Sequence, residues 1–238
     1  MRGLWALVVL LVVPAAPEAA VSRPVAVRTE DGVSLAATLY EAPRQPAPAV
    51  ILLHMQTRSR EDWQAFGHRL ADSGIHALAI DFRGHGGSGA GPAGEDGQAD
   101  LSRLVLDVRA ARTYLAGRPD AVRGSAIGLL GASIGANVAM LYAAGDPSIR
   151  SLALLSPGLD YRSLRTEGAL RKYGPRPALL VAGADDPYAL RSVRELAKAG
   201  GGTREVRTLG PAGHGTVMLS REPDLERALV DWFQRTLL

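Results

Sequence analysis

After residue 20, the chain alternates short apolar runs with longer amphipathic stretches, and this alternation constrains its fold more than any other feature. The short runs are rich in Val, Leu, Ile and Ala, as buried strands are, whereas the amphipathic stretches have the spacing of helices. Strands that alternate with helices predict an α/β fold built on a mostly parallel sheet. A chain of 238 residues can bury the core of one such domain, so no second domain is required.

The predicted elements begin with a hairpin that turns at Asp31 and Gly32, a pair of residues favoured in tight hairpin turns. Strands are predicted at 25–29, 34–40, 49–54, 76–80, 125–130, 151–155, 177–182 and 203–209. Helices are predicted at 61–73, 100–117, 134–144, 188–199 and 223–237. The glycine-rich segment 84–97 is predicted to be a loop.

The first twenty residues have the pattern of a signal peptide. Arg2 gives a positive start, residues 4–13 form an apolar run too short to span a bilayer comfortably, and small residues lead up to Ala20. We therefore predict a signal peptide over 1–20, a secreted or periplasmic protein, and one α/β domain over 24–238 with no stable membrane span after cleavage. An uncleaved N-terminal membrane anchor is the alternative interpretation.

Composition excludes several classes of site. The chain has no cysteine, which excludes disulfides, a cysteine nucleophile and thiolate metal sites. Its net charge of +3 comes from scattered basic residues that do not alternate with aromatic ones, so no nucleic-acid partner is expected.

The segment Gly131-Ala132-Ser133-Ile134-Gly135 fits the G-x-S-x-G pattern between a predicted strand and a predicted helix. Such a tight turn strains the serine backbone and needs glycines where side chains would collide with the strand and the helix. It exposes Ser133 as a nucleophile and leaves the Ile134 N–H free to stabilise an oxyanion. Two alternatives are a dinucleotide-binding turn, from whose spacing the segment departs, and a helix-capping serine, which leaves the glycines unexplained.

A serine nucleophile needs a base, and His214 is the only histidine after Ser133; it lies in a glycine-bracketed loop after the last predicted strand. The acid that orients the base should also follow a strand, as Asp185 and Asp186 both do. Asp186 is preferred because it forms G-x-x-D-P with Gly183 and the following proline, whereas Asp185 is expected to face solvent or to bond the turn. The order Ser, Asp, His is the one that accompanies such an elbow.

The loop after the third predicted strand is expected to supply a second oxyanion donor. The backbone N–H of Gln56 is the first candidate and that of Met55 the second. His54 ends a predicted strand and His85 lies in the glycine-rich loop, so both could lie near the site. They are expected to make structural hydrogen bonds. The segment 160–175 carries four cations and is expected to border the pocket, where the cations would favour an acidic substrate unless they form an ordinary solvated surface.

Five segments together resemble the α/β-hydrolase superfamily over nearly all of residues 25–237. They are LLHM at 52–55, DFRGHGGSG at 81–89, GASIG at 131–135, GADDP at 183–187 and AGHG at 212–215. The chain is most similar to compact dienelactone-hydrolase-like and serine-aminopeptidase-like members, because only about twenty residues separate two of its predicted strands, at 151–155 and 177–182, and leave no room for a cap domain. The resemblance implies an eight-stranded, mostly parallel sheet with helices on both faces, no cofactor or metal, and hydrolysis through an acyl-enzyme.

The expected function is therefore cleavage of a small-molecule carboxylic ester by Ser133, with His214 as base and Asp186 as acid. The same triad could instead cleave a peptide or a thioester, and a non-catalytic binding protein on this scaffold is the alternative from a different class. The sequence leaves the oligomeric state open. Met55 departs from the glycine that many members of the superfamily have after the histidine, and Asp81 and His85 match a loop whose role there is usually structural.

Overall fold

The computed structural model describes residues 20–90, 100–162 and 164–238. The strands in these residues are β1 (Val21–Arg28), β2 (Ser34–Glu41), β3 (Ala47–Leu53), β4 (His76–Ile80), β5 (Val122–Ala132), β6 (Ile149–Leu155), β7 (Asp160–Tyr161), β8 (Leu164–Arg165), β9 (Ala178–Gly183) and β10 (Arg204–Leu209). The helices are α1 (Gln64–Asp72), α2 (Leu104–Ala116), α3 (Ile134–Gly145), α4 (Glu167–Tyr173), α5 (Pro187–Leu196), α6 (Val217–Arg221) and α7 (Leu225–Leu237). Short 3₁₀ helices at Arg60–Trp63 and Leu101–Arg103 precede α1 and α2.

Eight of these strands form one sheet in the order β1-β2-β4-β3-β5-β6-β9-β10, and β7 pairs with β8 in a separate hairpin. β2 pairs antiparallel with β1 and with β4, and the remaining pairs of the sheet are parallel. The predicted eight-stranded, mostly parallel α/β sheet is thus confirmed. In the described residues between β6 and β9, the chain makes only the β7–β8 hairpin and α4.

Helices cover both faces of the sheet because successive side chains of each buried strand point to opposite sides. On β5, Leu129 packs in a cluster with residues of α2, α3 and α5, whereas Leu130 packs in a second cluster. That second cluster contains Phe66 of α1 and Trp232 and Phe233 of α7. Parallel strands buried on both faces bring their carboxyl ends to one edge of the sheet, where ligand sites of such folds form.

The predicted boundaries differ from the observed ones where tertiary contacts override local pattern. β3 begins at Ala47 rather than residue 49, and its register against β5 shifts between Ala47 and Ala49, which accommodates Pro48. β5 extends to Ala132 because Gly131 and Ala132 pair with β6. β7, β8, α4 and α6 were not predicted, because such short elements have no readable periodicity in the sequence.

The predicted signal peptide at 1–20 lies outside the described residues except for Ala20, and it stays a prediction. The part of the predicted glycine-rich loop at 91–97 also lies outside them. Among the helices of the described residues, none has the length and apolar character needed to cross a bilayer.

Two histidines are fully buried and hydrogen-bonded in the neutral form. Nε2 of His54 accepts from the Phe82 N–H at 3.0 Å, and Nδ1 of His76 accepts from the Ala42 N–H at 3.0 Å. Their other ring nitrogens donate to the carbonyls of Met55 and Ala121. Burial lowers the pKa of both imidazoles.

We expect the free energy of unfolding to fall as the pH drops below about 6.5, the ordinary histidine pKa. The unfolded chain then takes up protons that the folded protein resists, so each buried histidine costs up to about 1.4 kcal/mol per pH unit. Urea unfolding at pH 7.5 and pH 5.5 measures this loss. The variant His76→Gln should be less stable at pH 7.5 but should lose less stability on acidification, and an unchanged pH dependence in that variant would contradict the prediction.

Candidate active site

The turn between β5 and α3 holds Ser133 in a strained backbone conformation. Its φ is 53° and its ψ is −117°, a region that residues other than glycine rarely adopt. A Cβ at Gly131 would lie 2.3 Å from the carbonyl oxygen of Gly135, and one at Gly135 would lie 2.4 Å from that of Leu53. The two glycines therefore leave room for the turn to close, as predicted from the sequence.

Three loops bring Ser133, His214 and Asp186 into one hydrogen-bonded line. The Ser133 hydroxyl lies 2.7 Å from Nε2 of His214, and Nδ1–H of His214 donates to Oδ2 of Asp186 at 2.5 Å. Oδ1 of Asp186 accepts from the Ala189 N–H at 3.2 Å, so the same carboxylate caps α5. The Asp186 side chain is 13% exposed and that of His214 is 46% exposed, which leaves the imidazole open to a small molecule.

Asp185 does not face the imidazole. Its carboxylate oxygens accept from the backbone N–H of Gly213 at 2.9 and 3.1 Å, which fastens the residue before His214 to the end of β9. From the sequence, this side chain is expected to face solvent or to bond the turn. The bond to Gly213 has no local sequence signal, because the acceptor and the donor lie 28 residues apart.

Among the described residues, no oxygen accepts a hydrogen bond from the backbone N–H of Ile134, Gln56 or Met55. Buried His54 orients the peptide between Met55 and Gln56, because its Nδ1–H donates to the Met55 carbonyl at 2.8 Å. In a trans peptide the N–H points opposite to the carbonyl, so the Gln56 N–H points away from His54. Free N–H groups of this kind can bind an oxyanion.

The side chain of Met55 packs against the His214 loop. A Cβ at Gly215 would lie 2.6 Å from the Met55 sulfur, and Gly215 has a φ of 60°. The Gly215 N–H donates to the hydroxyl of Ser156, a buried residue directly after β6. Methionine at position 55 is therefore accommodated by the glycine that follows His214.

The loop after β4 supports the site without entering the line of Ser133, His214 and Asp186. Buried Asp81 accepts from the N–H groups of Arg60 and Gly87 at 2.6 and 2.8 Å and forms an ion pair with the Arg60 guanidinium. The His85 ring lies 5.1 Å from that of His54, centroid to centroid. These contacts agree with the structural role expected for Asp81 and His85.

The β7–β8 hairpin borders the site, as expected for segment 160–175. The Tyr161 hydroxyl donates to the side-chain oxygen of Gln56 at 3.4 Å, and the Arg162 guanidinium lies over the Tyr161 ring. Two of the four cations are paired, Arg165 with Asp160 and Arg171 with Glu167. Paired, exposed cations favour the solvated-surface interpretation for those two residues.

In the described parts of the chain, no three His, Asp or Glu side chains gather in a way that could hold a metal ion.

A family model for serine aminopeptidases of the S33 type matches residues 44–183. The matched range contains Ser133 and ends before Asp186 and His214.

Curated and solved proteins give further similarities. A 2-succinyl-6-hydroxy-2,4-cyclohexadiene-1-carboxylate synthase of Salmonella paratyphi B is 34% identical over 132 residues, which are 54% of this chain and 47% of that protein. The chain thus spans about half the length of the curated relatives that it matches. The Pyrococcus furiosus esterase Pf2001 superimposes with a TM-score of 0.75 at 21% identity, covering 92% of this chain and 94% of the esterase. A dienelactone hydrolase from Anabaena variabilis gives a TM-score of 0.74 at 18% identity, covering 93% and 100%.

Proposed function

This chain belongs to the serine aminopeptidase S33 family of α/β-hydrolases, and from that membership and its site we propose that it cleaves small carboxylic esters through an acyl-enzyme on Ser133. The resemblance to the superfamily, inferred from five short segments, is confirmed by the family match. The observation that carries the proposal is the line from Ser133 through His214 to Asp186, together with backbone N–H groups of Ile134 and Gln56 that have no acceptor in the described part of the chain. Such an arrangement is suited to acyl transfer.

In the proposed acylation step, the Ser133 oxygen attacks the ester carbonyl carbon and its proton moves to Nε2 of His214. Asp186 accepts the Nδ1–H bond and stabilises the imidazolium that forms. The N–H groups of Ile134 and Gln56 hold the carbonyl oxygen as it becomes an oxyanion, with the Met55 N–H as the alternative second donor. The carbon–oxygen bond to the alcohol then breaks, and the alcohol leaves with the proton from Nε2.

Deacylation repeats the sequence with water. His214 removes a proton from water as the water oxygen attacks the acyl-enzyme, and the collapse of the second oxyanion returns the proton to Ser133. The products are a carboxylic acid and the free serine. The half-exposed imidazole and the short hairpin beside it suit a small substrate that enters from solvent.

Labelling by a fluorophosphonate probe tests the proposal, because the probe reacts with serines activated in this way. We expect stoichiometric labelling at Ser133 and turnover of 4-nitrophenyl acetate and butyrate. A panel that adds a thioester and an aminoacyl anilide would identify the acyl bond, since the same three residues could serve all of these. A protein that is folded but unlabelled would instead support a binding protein on a hydrolase scaffold.

Asp186→Asn is expected to lower kcat by about 10³- to 10⁴-fold, because an amide favours the wrong histidine tautomer. Asp185→Asn is its matched control. Both aspartates lie in the turn between β9 and α5, but only Asp186 contacts the imidazole. Asp185→Asn should lower kcat by less than about tenfold, because an amide oxygen can still accept from Gly213. Steady-state kinetics on 4-nitrophenyl butyrate measures both, and the reverse ranking would assign the acid to Asp185.

A further inference from the structure

One carboxylate joins the two loops on which the proposed chemistry depends. Asp62 lies in the 3₁₀ helix Arg60–Trp63, and its side chain is 8% exposed. Arg58 donates from Nε to both carboxylate oxygens at 3.0 Å, and its Nη2 lies 2.8 Å from Oδ1. The hydroxyl of Thr216, a residue 154 positions later in the chain, donates to Oδ2 at 2.5 Å.

Each partner of Asp62 lies in a turn that carries a proposed functional group. The backbone N–H of Arg58 donates to the Met55 carbonyl at 3.2 Å, which closes the turn that contains Gln56. Thr216 lies two residues after His214, in a turn closed by the bond from the Val217 N–H to the His214 carbonyl. The Asp62 carboxylate therefore lies between the loop of the second oxyanion donor and the loop of the base.

An exposed ion pair adds little to stability, and Arg58 is half-exposed, but Asp62 and Thr216 are both nearly buried, so the bond between these two carries more of the effect. A charge-assisted hydrogen bond in such a place is short and directional, so it fixes the distance between the loops that it joins. Ser133 needs His214 and the oxyanion donors at fixed places at the same time, and a small displacement of either is costly. No bond from Asp62 or Thr216 to Ser133, His214 or Asp186 occurs among the described residues, so any effect acts through the loops.

We infer that Asp62 is a positioning residue, which holds the His214 loop through Thr216 and the Gln56 loop through Arg58. The inference rests on the proposed function, because it concerns the geometry of the same site. It predicts that loss of the Thr216 hydroxyl slows the chemical steps and leaves substrate binding almost unchanged, in a protein that is less stable by one hydrogen bond but still fully folded under the conditions of the assay.

Thr216→Val removes the hydroxyl and keeps the shape of the side chain. We expect kcat for 4-nitrophenyl butyrate to fall by about tenfold, KM to change by less than about twofold, and the rate of fluorophosphonate labelling to fall with kcat. Thr216→Ser keeps the donor and should restore most of both rates. Glu61→Gln is the control, because Glu61 is the exposed neighbouring carboxylate on the same 3₁₀ helix, and it should behave as wild type.

Urea unfolding of all four proteins separates positioning from folding. The inference would be overturned if Thr216→Val had wild-type rates, or if Thr216→Ser did not restore the lost activity. In either case, labelling of the wild-type protein at Ser133 would still support the proposed function. A wild-type protein that is not labelled would overturn the proposed function and this inference with it. If kcat falls only in variants that have also lost much of their stability, Asp62 has a structural role and the inference is wrong. In that case the effects of Arg58→Met and Thr216→Val on kcat should simply add in the double variant.

Discussion

Replacing Ser133 with alanine is expected to lower kcat for ester hydrolysis by at least about 10⁴-fold, to a rate close to that of the background reaction. The reason is specific to the arrangement of the site. His214 donates through Nδ1 to Asp186, so Nε2 is the atom available to a proton, and the Ser133 hydroxyl lies 2.7 Å from it. Without the hydroxyl, no acyl-enzyme forms. The release of 4-nitrophenol from saturating 4-nitrophenyl butyrate, recorded through the burst and the steady state, measures the effect. A Ser133→Ala protein with full activity would disprove the assignment.

A second variant at the same position separates chemistry from backbone strain. Ser133→Gly also lacks the hydroxyl, but glycine adopts a positive φ without the cost that a side chain adds. We expect it to be as inactive as Ser133→Ala and more stable than it by about 1 kcal/mol in urea unfolding. Equal stability of the two variants would show that the turn stores little strain.

Asp107→Ala is expected to destabilise the protein by about 3 kcal/mol, because the buried Arg83 guanidinium loses its buried partner and keeps only the partly exposed Asp31. Arg83 donates to Asp107 from its backbone N–H at 2.9 Å and from Nε at 2.8 Å, and neither side chain is more than 6% exposed. Its other nitrogens donate to Asp31 at 2.7 and 3.1 Å. One guanidinium thus ties the first hairpin and α2 to the loop after β4.

Urea unfolding of Asp107→Ala beside Asp224→Asn measures the loss, since Asp224 is an exposed carboxylate with an exposed arginine partner and should cost less than about 1 kcal/mol. Adding Arg83→Met to Asp107→Ala should recover part of the loss, because no guanidinium then remains buried with Asp31 as its one carboxylate partner among the described residues. Two equally small losses would contradict the buried-pair argument. Hydrogen bonds from Arg83 also lower the pKa of Asp31. The Asp31 carboxylate therefore stabilises the folded protein at every pH above the ordinary aspartate pKa, and this stabilisation is lost only in strong acid.

The sequence predicted what depends on short, local patterns. The glycines at positions 131 and 135 could be explained from the sequence, because a turn that passes directly from strand to helix leaves no room for side chains there. The ends of the parallel strands gave the places of His214 and Asp186, since such ends meet at one edge of the sheet.

What the sequence could not predict depends on contacts between distant segments. Asp185 and Asp186 are adjacent, and only the position of the His214 loop decides which one contacts the imidazole. Asp62 lies in a segment without a recognisable motif, and 154 residues separate it from Thr216, which follows the AGHG segment. Ser156 follows β6, and its position after a strand was the one local signal that could have placed it near the site.

The two outer strands of the sheet have a consequence for the protein in concentrated solution. β1 and β10 form the edges of the described sheet, and an open edge can pair with another chain and start aggregation. β1 contains Pro24, which has no N–H to offer a partner strand, and β10 reads REVRTL, in which Arg204, Glu205 and Arg207 are charged. Sheet-to-sheet association of folded molecules is therefore disfavoured. The aggregation hazard lies instead in interior segments without proline, such as AVILL after Pro48 in β3, which become accessible only on unfolding.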